Sequence, residues 1–191
     1  MADNSGPIGQ VMDTLLAGAV TASSRPFHDE RGRFARLFDR DILASVHADR
    51  PIVQVNQSLT RQRGALRGLH FQRMPYLEAK WVRCLKGRVF DVAVDLRRGS
   101  PTFLRHAAVE LSAEEANMFF IPEGCAHGFQ VIEPNSELLY LHTAPYSPKA
   151  EGGLRWDDPL LDIVWPLEPT DISERDSSHP LLTQEFEGLD L

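Results

Sequence analysis

A series of short alternating segments between residues 52 and 143 constrains the fold most strongly. Apolar and polar side chains alternate with period two, and Gly, Pro, Asn and Ser residues separate one segment from the next. Many short strands with almost no helix between them indicate antiparallel sheets, because parallel strands need long crossover connections. We therefore predict an all-β protein with a jelly-roll β-barrel. The predicted strands span residues 52–58, 64–71, 80–85, 88–96, 105–111, 118–121, 128–132 and 138–143.

The segment before the barrel is weakly patterned. Residues 1–20 contain several glycines, so we expect a loosely ordered arm with one helical turn near residues 11–16. A turn centred on Gly32 should separate two short strands, and residues 39–46 are typical of a short helix for which Asp39 is available as the N-cap. The barrel is thus expected to carry a short N-terminal extension.

The segment after the barrel, residues 151–191, carries Trp156 and Trp165 and is too apolar for a disordered extension. We expect it to form short helical turns that pack on the barrel. With 191 residues, of which 42% are hydrophobic, the chain is long enough for one full core. We predict a single domain over residues 1–191.

Composition excludes several classes of protein. A net charge of −7 argues against a general nucleic-acid-binding surface, and no apolar run approaches the length of a membrane span. Asp3 and Asp13 make the N-terminus unlike a signal peptide. Cys84 and Cys125 have neither metal-ligand spacing nor a disulfide framework, which suits a reducing compartment. We expect a cytoplasmic protein with no nucleic-acid or membrane partner.

Ionisable side chains concentrate between residues 65 and 84. Arg67, His70 and Lys80 lie on segments that otherwise resemble apolar strands. A lone strand histidine is more often a satisfied core residue, but a neutral imidazole beside an ammonium suits proton removal next to a carbonyl, with the cation stabilising the enolate. Strict alternation sends Arg67 to the face opposite His70, unless a bulge at Gly68 redirects one side chain.

Two further groups have open interpretations. Asp91 and Asp95 share one face of the strand predicted at 88–96, and they are either solvated or inside the barrel. Tyr140 shares a face with Leu138 and His142, and it is either a core residue or a general acid.

The turn Ile121-Pro-Glu-Gly-Cys-Ala-His-Gly-Phe129 resembles the second motif of the cupin superfamily, in which the histidine is commonly a metal ligand. The first cupin metal motif, H-x-H followed by a glutamate, is not matched, because the chain has His70-Phe71-Gln72 and Glu78 follows too late. We therefore predict no metal, and His127 is either a hydrogen-bond donor to a ligand or a structural residue. Nicotinamide, ATP and serine-hydrolase motifs have no match either.

Taken together, several motifs resemble the dTDP-4-dehydrorhamnose 3,5-epimerase family over residues 27–182. They are Arg67-Gly-Leu-His-Phe-Gln72, Lys80-Trp-Val-Arg-Cys84, Val89-Phe-Asp-Val-Ala-Val-Asp-Leu-Arg97, Ser100-Pro-Thr-Phe103, Ile121–Phe129, Tyr146-Ser-Pro148 and Trp156-Asp-Asp-Pro159. The resemblance implies a cupin jelly roll and a homodimer in which an N-terminal strand joins the partner's sheet. It also implies cofactor-free epimerisation beside the C4 keto group of a nucleotide-linked 6-deoxyhexose, with a dTDP-linked sugar as the expected substrate.

The resemblance further implies a role for each matching residue. His70 would be the base, with Asp176 of the Ser173-Glu-Arg-Asp176 pattern, rather than Asp91, as its orienting carboxylate. Lys80 would stabilise the enolate, and Tyr140 would be the acid on the opposite face of the sugar ring. Substrate-binding positions are matched by Arg67 and His127 for the diphosphate and sugar, by Arg31, Gln54, Asn56 and Glu151 at the nucleotide end, and by Arg175 beside Asp176.

The departures from the family pattern fall at the nucleotide end. A glutamate of the family is replaced by Arg36, and the aspartate of its Q-D-N motif is replaced by Val55. Three alternatives therefore stay open: a C3-only or C5-only epimerase, an enzyme for a GDP- or CDP-linked sugar, and a non-catalytic cupin that binds a sugar nucleotide. A metal-dependent cupin oxygenase is disfavoured by Phe71-Gln72.

Overall fold

A computed structural model describes residues 8, 9, 11–47 and 50–191. Its strands are β1 (Met12–Asp13), β2 (Val20–Ser23), β3 (Phe27–Asp29), β4 (Gly32–Phe34), β5 (Gln54–Thr60), β6 (Leu66–Gln72), β7 (Lys80–Lys86), β8 (Arg88–Asp95), β9 (His106–Ser112), β10 (Asn117–Ile121), β11 (Cys125–Val131), β12 (Ser136–His142) and β13 (Glu151–Gly153). Its helices are α1 (Arg40–His47) and α2 (Glu174–Ser178). Within these residues, no helix is long and apolar enough to cross a membrane.

Two antiparallel sheets face each other across a shared core. One sheet has the order β1-β2-β10-β7-β12-β5, and the other has the order β13-β6-β11-β8-β9. The first sheet contributes Val82 and Phe119 to the core, and the second contributes Val89 and Phe129. Adjacent strands in each sheet are mostly distant in sequence, as a jelly roll requires. The predicted all-β jelly-roll fold is confirmed.

The alternation pattern located the strands of the barrel well. Each predicted strand between residues 52 and 143 is present, and the largest shift is at β11, which begins at Cys125 rather than at residue 128. The hairpin around Gly32 is present as β3 and β4. Asp39 precedes α1, and its Oδ1 accepts a hydrogen bond from the Asp41 N–H at 3.2 Å, as expected of an N-cap.

The predicted helical turn near residues 11–16 is wrong. Met12 and Asp13 form a strand that pairs with β2, and Leu16 is buried. The Thr14 hydroxyl bonds to the backbone of Leu16 and Ala19, which closes a loop and competes with a helix. Residues 1–7 and 10 of the predicted arm lie outside the described residues.

The C-terminal segment covers the outer face of β8. Leu154 and Leu161 pack with Val92 and Val94 in one buried cluster, which also includes partly buried Trp165. The short helix α2 lies in this segment, and Ser173 is its N-cap. The segment also contains β13, which was not predicted because Glu-Gly-Gly has low β-propensity.

The inner face of β8 holds two carboxylates, and both are fully buried. Asp91 lies beside His127, as described below, and Asp95 ties together the turn that follows β8. Burial on its own would raise the pKa of Asp95, but hydrogen bonds from Arg97, Ser100 and Thr102 lower it to about 2. Of the two interpretations left open by the sequence, the interior location is therefore correct.

Replacing Asp95 by Asn should lower the free energy of unfolding by about 2 kcal/mol at neutral pH. The reason is that the Asp95 pKa is 3.8 in its ordinary state and about 2 in the fold. This contribution is complete above about pH 4 and is lost as the pH falls towards 2, since protonation removes the anion that the turn binds. Urea unfolding at pH 7 and pH 3 measures both effects. Glu187→Gln, at a largely exposed carboxylate, is the control, and equal losses in the two variants would contradict the prediction.

Candidate active site

A cavity of about 590 Å³ opens between the two sheets. Strands β5, β7 and β12 form one wall, and β6 and β11 form the other. Among the residues expected from the sequence, the lining brings together Asn56, Arg67, His70, Lys80, His127, Tyr140, Glu151 and Arg175. Asp176 lines an adjoining cavity that also contacts Arg67 and His70.

Besides Asp176, two of the expected residues lie outside this lining. Gln54 is next to it, and its Oε1 accepts a hydrogen bond at 3.0 Å from the N–H of Tyr146, which does line the cavity. Arg31 lies on the exposed β3–β4 hairpin, where its guanidinium is paired with Asp29. The structure therefore does not bring Arg31 to the cavity.

His70 and Asp176 form a pair across the gap between β6 and α2. His70 Nε2 lies 2.8 Å from Asp176 Oδ1, and the Gly68 N–H donates to Oδ2 of the same carboxylate at 3.1 Å. Burial alone would raise the pKa of Asp176, but the bonds from His70 and Gly68 and the Arg175 charge hold it well below its usual range. The ionised carboxylate therefore lies beside Nε2, where it orients the ring and can stabilise a positive charge on the imidazole.

A bulge at Gly68 brings Arg67 and His70 to the same cavity. In the pairing of β6 with β11, His127 lies opposite His70, and the register shifts before Phe129 lies opposite Arg67. Gly68 has a φ of 120°, and a Cβ at this position would lie 2.5 Å from the Gly128 Cα. The bulge that the sequence left as an option is confirmed, and glycine is required there because the two backbones nearly touch.

Replacing Gly68 by Ala should destabilise the protein by at least about 2 kcal/mol, since the new methyl group overlaps backbone that cannot turn aside. It should also displace His70 from Asp176 and lower activity. The control is Gly99→Ala, because Gly99 also has a positive φ of 74° but has nothing within 4 Å of the added Cβ. Thermal unfolding of both variants measures the difference, and equal destabilisation would show that the close approach to Gly128 costs nothing.

A second histidine–carboxylate pair lies deeper in the same wall. His127 Nε2 lies 2.9 Å from Asp91 Oδ2, and both side chains are buried. Burial raises the pKa of Asp91, against the lowering effect of His127 and Lys80. The carboxylate therefore orients the His127 ring, whose face packs beside Phe129.

Tyr140 lies on the sheet opposite the one that carries His70 and His127. Its hydroxyl lies 3.0 Å from Ser58 Oγ, and its ring meets the His127 ring edge-on at 6.1 Å between centroids. Burial raises the pKa of Tyr140, with a smaller opposing effect from Ser58. The phenol therefore stays protonated at neutral pH, as a proton donor must.

Lys80 begins β7 and is held by a carboxylate two residues earlier. Its Nζ lies 2.7 Å from Glu78 Oε1, and Glu78 Oε2 lies 2.7 Å from His142 Nδ1. Burial alone would raise the pKa of Glu78, but the Lys80 charge and the His142 bond lower it to about 2. The Lys80 ammonium therefore lies in the cavity beside a Glu78 carboxylate that is ionised at neutral pH.

Arg175 closes the site at its α2 edge. Its Nη1 lies 3.1 Å from Glu151 Oε1, and its Nη2 lies 2.9 Å from His70 Nε2.

Three side chains at this edge could ligate a metal ion, because His70, Asp176 and His179 each offer a ligand atom within 4.8 Å of the others. The Arg175 guanidinium competes for that space with any cation. The expectation of no metal stays a prediction.

The family model for dTDP-4-dehydrorhamnose 3,5-epimerase matches residues 13–184. The chain belongs to this family. It is therefore an isomerase of the epimerase class, as the motifs led us to expect. A dTDP-4-dehydrorhamnose 3,5-epimerase of Sinorhizobium fredii is 45% identical over 161 residues, which cover 84% of this chain and 83% of that protein.

Solved structures of the family have the same fold. The dTDP-6-deoxy-D-glucose-3,5-epimerase of Legionella pneumophila in complex with dTDP-4-keto-L-rhamnose is 36% identical, with a TM-score of 0.86 over 91% of this chain and 92% of that one. ChmJ, a 3'-monoepimerase from Streptomyces bikiniensis in complex with dTDP-quinovose, is 33% identical, with a TM-score of 0.81 over 87% of this chain and 84% of that one. Both likenesses extend over nearly the whole barrel.

Sequence reasoning missed part of the site that the epimerase fold assembles. Glu78 was considered only as a metal ligand and His142 only as a neighbour of Tyr140, yet both line the cavity. The location of His142 in the site could have been inferred from alternation in β12, which puts His142 on the same face as Tyr140. The pairing of His142 with Lys80 across β12 and β7 could not have been inferred, because register between strands cannot be read from one sequence.

Proposed function

We propose that this epimerase-family chain inverts C3 and C5 of dTDP-4-dehydro-6-deoxy-D-glucose to give dTDP-4-dehydro-L-rhamnose. One observation carries the proposal: His70 and Tyr140 lie on opposite sheets and face one cavity. A base on one wall and an acid on the other suit removal of a proton from one face of a sugar and its return to the other face. Lys80 lies on β7, which pairs with the strand that carries Tyr140, and it would supply the positive charge that the reaction needs.

Each inversion would proceed through an enolate. The His70 imidazole takes the proton from the carbon next to C4, and the electrons of that C–H bond move into the ring as the C4 oxygen becomes negative. The Lys80 ammonium stabilises this oxygen, and Asp176 stabilises the imidazolium that forms. Tyr140 then donates its proton to the opposite face of the carbon, and the ketone is restored. His70 then releases its extra proton to solvent and Tyr140 regains one from solvent, which restores both residues, so the reaction as written uses no cofactor.

The remaining residues would hold the nucleotide-linked sugar. Arg67 and His127 line the same cavity as the proposed base and acid, where they suit the diphosphate and the sugar hydroxyls. Arg175 and Glu151 close the same edge. Asn56 and its strand neighbour Gln54 would contact the base and ribose together with Glu151, since Tyr146 bonds to both Gln54 and Glu151.

The test is incubation with the dTDP-linked ketosugar in heavy water, followed by NMR at C3 and C5. Deuterium at both carbons, with formation of the L-rhamno product, is the expected result. No exchange at either carbon would overturn the proposal, and thermal stabilisation by the nucleotide sugar without exchange would instead support a non-catalytic sugar-nucleotide-binding cupin.

A second candidate is a mono-epimerase that inverts C3 or C5 alone. The likeness to ChmJ, described by its name as a 3'-monoepimerase, favours keeping it. The same NMR experiment separates the two candidates, since a C3-only enzyme leaves the C5 proton in place throughout.

The nucleotide is a separate part of the proposal. Val55 lines the cavity with 58% of its surface exposed, and Arg36 is paired with Asp39 at 2.8 Å. Neither side chain supplies the negative charge that the family pattern has at these positions. Thermal shifts with dTDP, GDP and CDP should rank the nucleotides, and dTDP is expected to stabilise most.

We also propose a cytoplasmic homodimer with exchange of an N-terminal strand. The β3–β4 hairpin forms its own two-stranded sheet, and its Phe27 and Phe34 are about 70% exposed, which supports contact with a second subunit. Such contact would bring Arg31 to the partner's cavity. Light scattering during size-exclusion chromatography tests the dimer, and a monomeric mass would refute it.

The cytoplasmic location is supported by the two cysteines, which are buried and unpaired, as suits a reducing compartment.

A further inference from the structure

A third histidine–carboxylate pair lines the cavity, and the mechanism above gives it no role. Glu78 Oε2 lies 2.7 Å from His142 Nδ1, and the other carboxylate oxygen, Oε1, lies 2.7 Å from Lys80 Nζ. At most 11% of any of these three side chains is exposed. One buried carboxylate thus bonds to the proposed enolate-stabilising cation and to a histidine at the same time.

Strand register places His142 between Lys80 and Tyr140. His142 lies directly opposite Lys80 in the pairing of β12 with β7. Two residues earlier on the same face, the Tyr140 ring stacks on the His142 ring, with 6.0 Å between centroids and 24° between planes. The Glu78 carboxylate therefore contacts Lys80 directly and supports Tyr140 through the His142 ring.

The second nitrogen of His142 is also accounted for. Asn56 Nδ2, which can only donate, lies 3.3 Å from His142 Nε2. Nε2 therefore accepts, and the ring proton is on Nδ1, where it is donated to Glu78. Because neither ring nitrogen lacks a partner, the ring is held in one orientation from both ends.

We propose that Glu78 is a positioning residue for epimerisation, which holds the Lys80 ammonium directly and the Tyr140 phenol through His142. This inference rests on the proposed function, since it assigns Glu78 to the two groups that would stabilise the enolate and deliver the proton. The carboxylate keeps the distance between these groups fixed while charge develops on the C4 oxygen. His142 is the second positioning residue of the same unit.

The test compares Glu78→Ala and Glu78→Gln with the wild type. Glu78→Ala should lower kcat by about 100-fold, because misplacing a reacting group by about 1 Å has an effect of this size. Glu78→Gln keeps the volume, but its amide presents the acceptor oxygen to only one of Lys80 and His142 and the donor NH2 to the other, so a loss of about 10-fold is expected. KM should change by less than about 3-fold in both variants, since the lost contacts matter only once the oxygen becomes charged.

Asp158→Asn is the matched control. Asp158 is a buried carboxylate outside the cavity, and it accepts hydrogen bonds from the N–H groups of Leu160 and Leu182. We expect this variant to lower Tm and to keep the wild-type kcat per folded molecule. A purely structural role for Glu78 predicts the same pattern in Glu78→Ala, so the kcat of the folded fraction separates the two roles.

A double-mutant cycle with His142→Phe completes the experiment. Phe keeps a ring against Tyr140 but cannot bond to Glu78, so Glu78→Ala should cost less in this background than in the wild type. Additive effects, or a wild-type kcat in Glu78→Ala, would overturn the inference. If Glu78→Ala does not fold, a wild-type kcat in Glu78→Gln has the same meaning. Each of these results requires an active wild type, whereas failure of the proposed function would appear as no exchange in the wild type itself.

Discussion

Replacing His70 by Asn should lower kcat by about a thousand-fold, within the range expected when a general base is removed. The amide cannot take a proton from carbon, although it is close in shape to the ring and can still donate to Asp176. Deuterium exchange at C3 and C5 should be lost together with product formation, because both depend on proton removal. The measurement is the NMR exchange assay in heavy water, run at saturating substrate.

His106→Asn is the control for this variant. His106 lies on β9, where its Nδ1 lies 3.0 Å from the Leu161 carbonyl oxygen, outside the cavity between the sheets. We expect it to keep the wild-type exchange rates after correction for any loss of stability. If His70→Asn retained exchange at either carbon, the base would have to be another group.

Replacing Tyr140 by Phe should lower the rate of inversion by about 100-fold or more, because the variant lacks the acid on its side of the sugar. Proton removal by His70 should continue, so deuterium should enter the substrate with its configuration retained. Exchange that outpaces inversion is the diagnostic result, and NMR follows both in one sample. Loss of the contact with Ser58 should cost about 1 kcal/mol of stability.

Tyr76→Phe controls for the loss of a phenol elsewhere, since Tyr76 is 41% exposed and does not line the cavity between the sheets. It should leave inversion and exchange equal to those of the wild type. If Tyr140→Phe slowed exchange and inversion by the same factor, the tyrosine would act before or during proton removal, and the assignment as the acid would fail.

The strands of the barrel were predictable because each has a period-two pattern and a turn at its end. The pattern fails at two places outside these strands. Thr14 closes a loop where a helical turn was expected, and β13 pairs with β6 although its Glu-Gly-Gly sequence has little strand character. Both errors fall where partners distant in the chain, or side-chain bonds to the backbone, outweigh intrinsic propensity.

The site was predictable to a different extent. Alternation alone predicted that Arg67 and His70 point to opposite faces of the strand unless a bulge at Gly68 redirects one of them. The structure contains this bulge. The pairing of His70 with Asp176 was expected from the family resemblance and not from spacing. The Glu78–His142 contact depends on the register of β7 against β12, and nothing in a single sequence sets that register.

Asp176 follows His70 by 106 residues, and the strands of the barrel lie between them. During synthesis, the proposed base is therefore incomplete until the segment that carries Asp176 has emerged and docked beside β6. A barrel whose strands are already paired would have the cavity, the lysine and the tyrosine, but an imidazole with nothing to orient it. In a refolding experiment, the recovery of turnover then reports when this segment docks. It should lag behind the circular dichroism signal of the sheets.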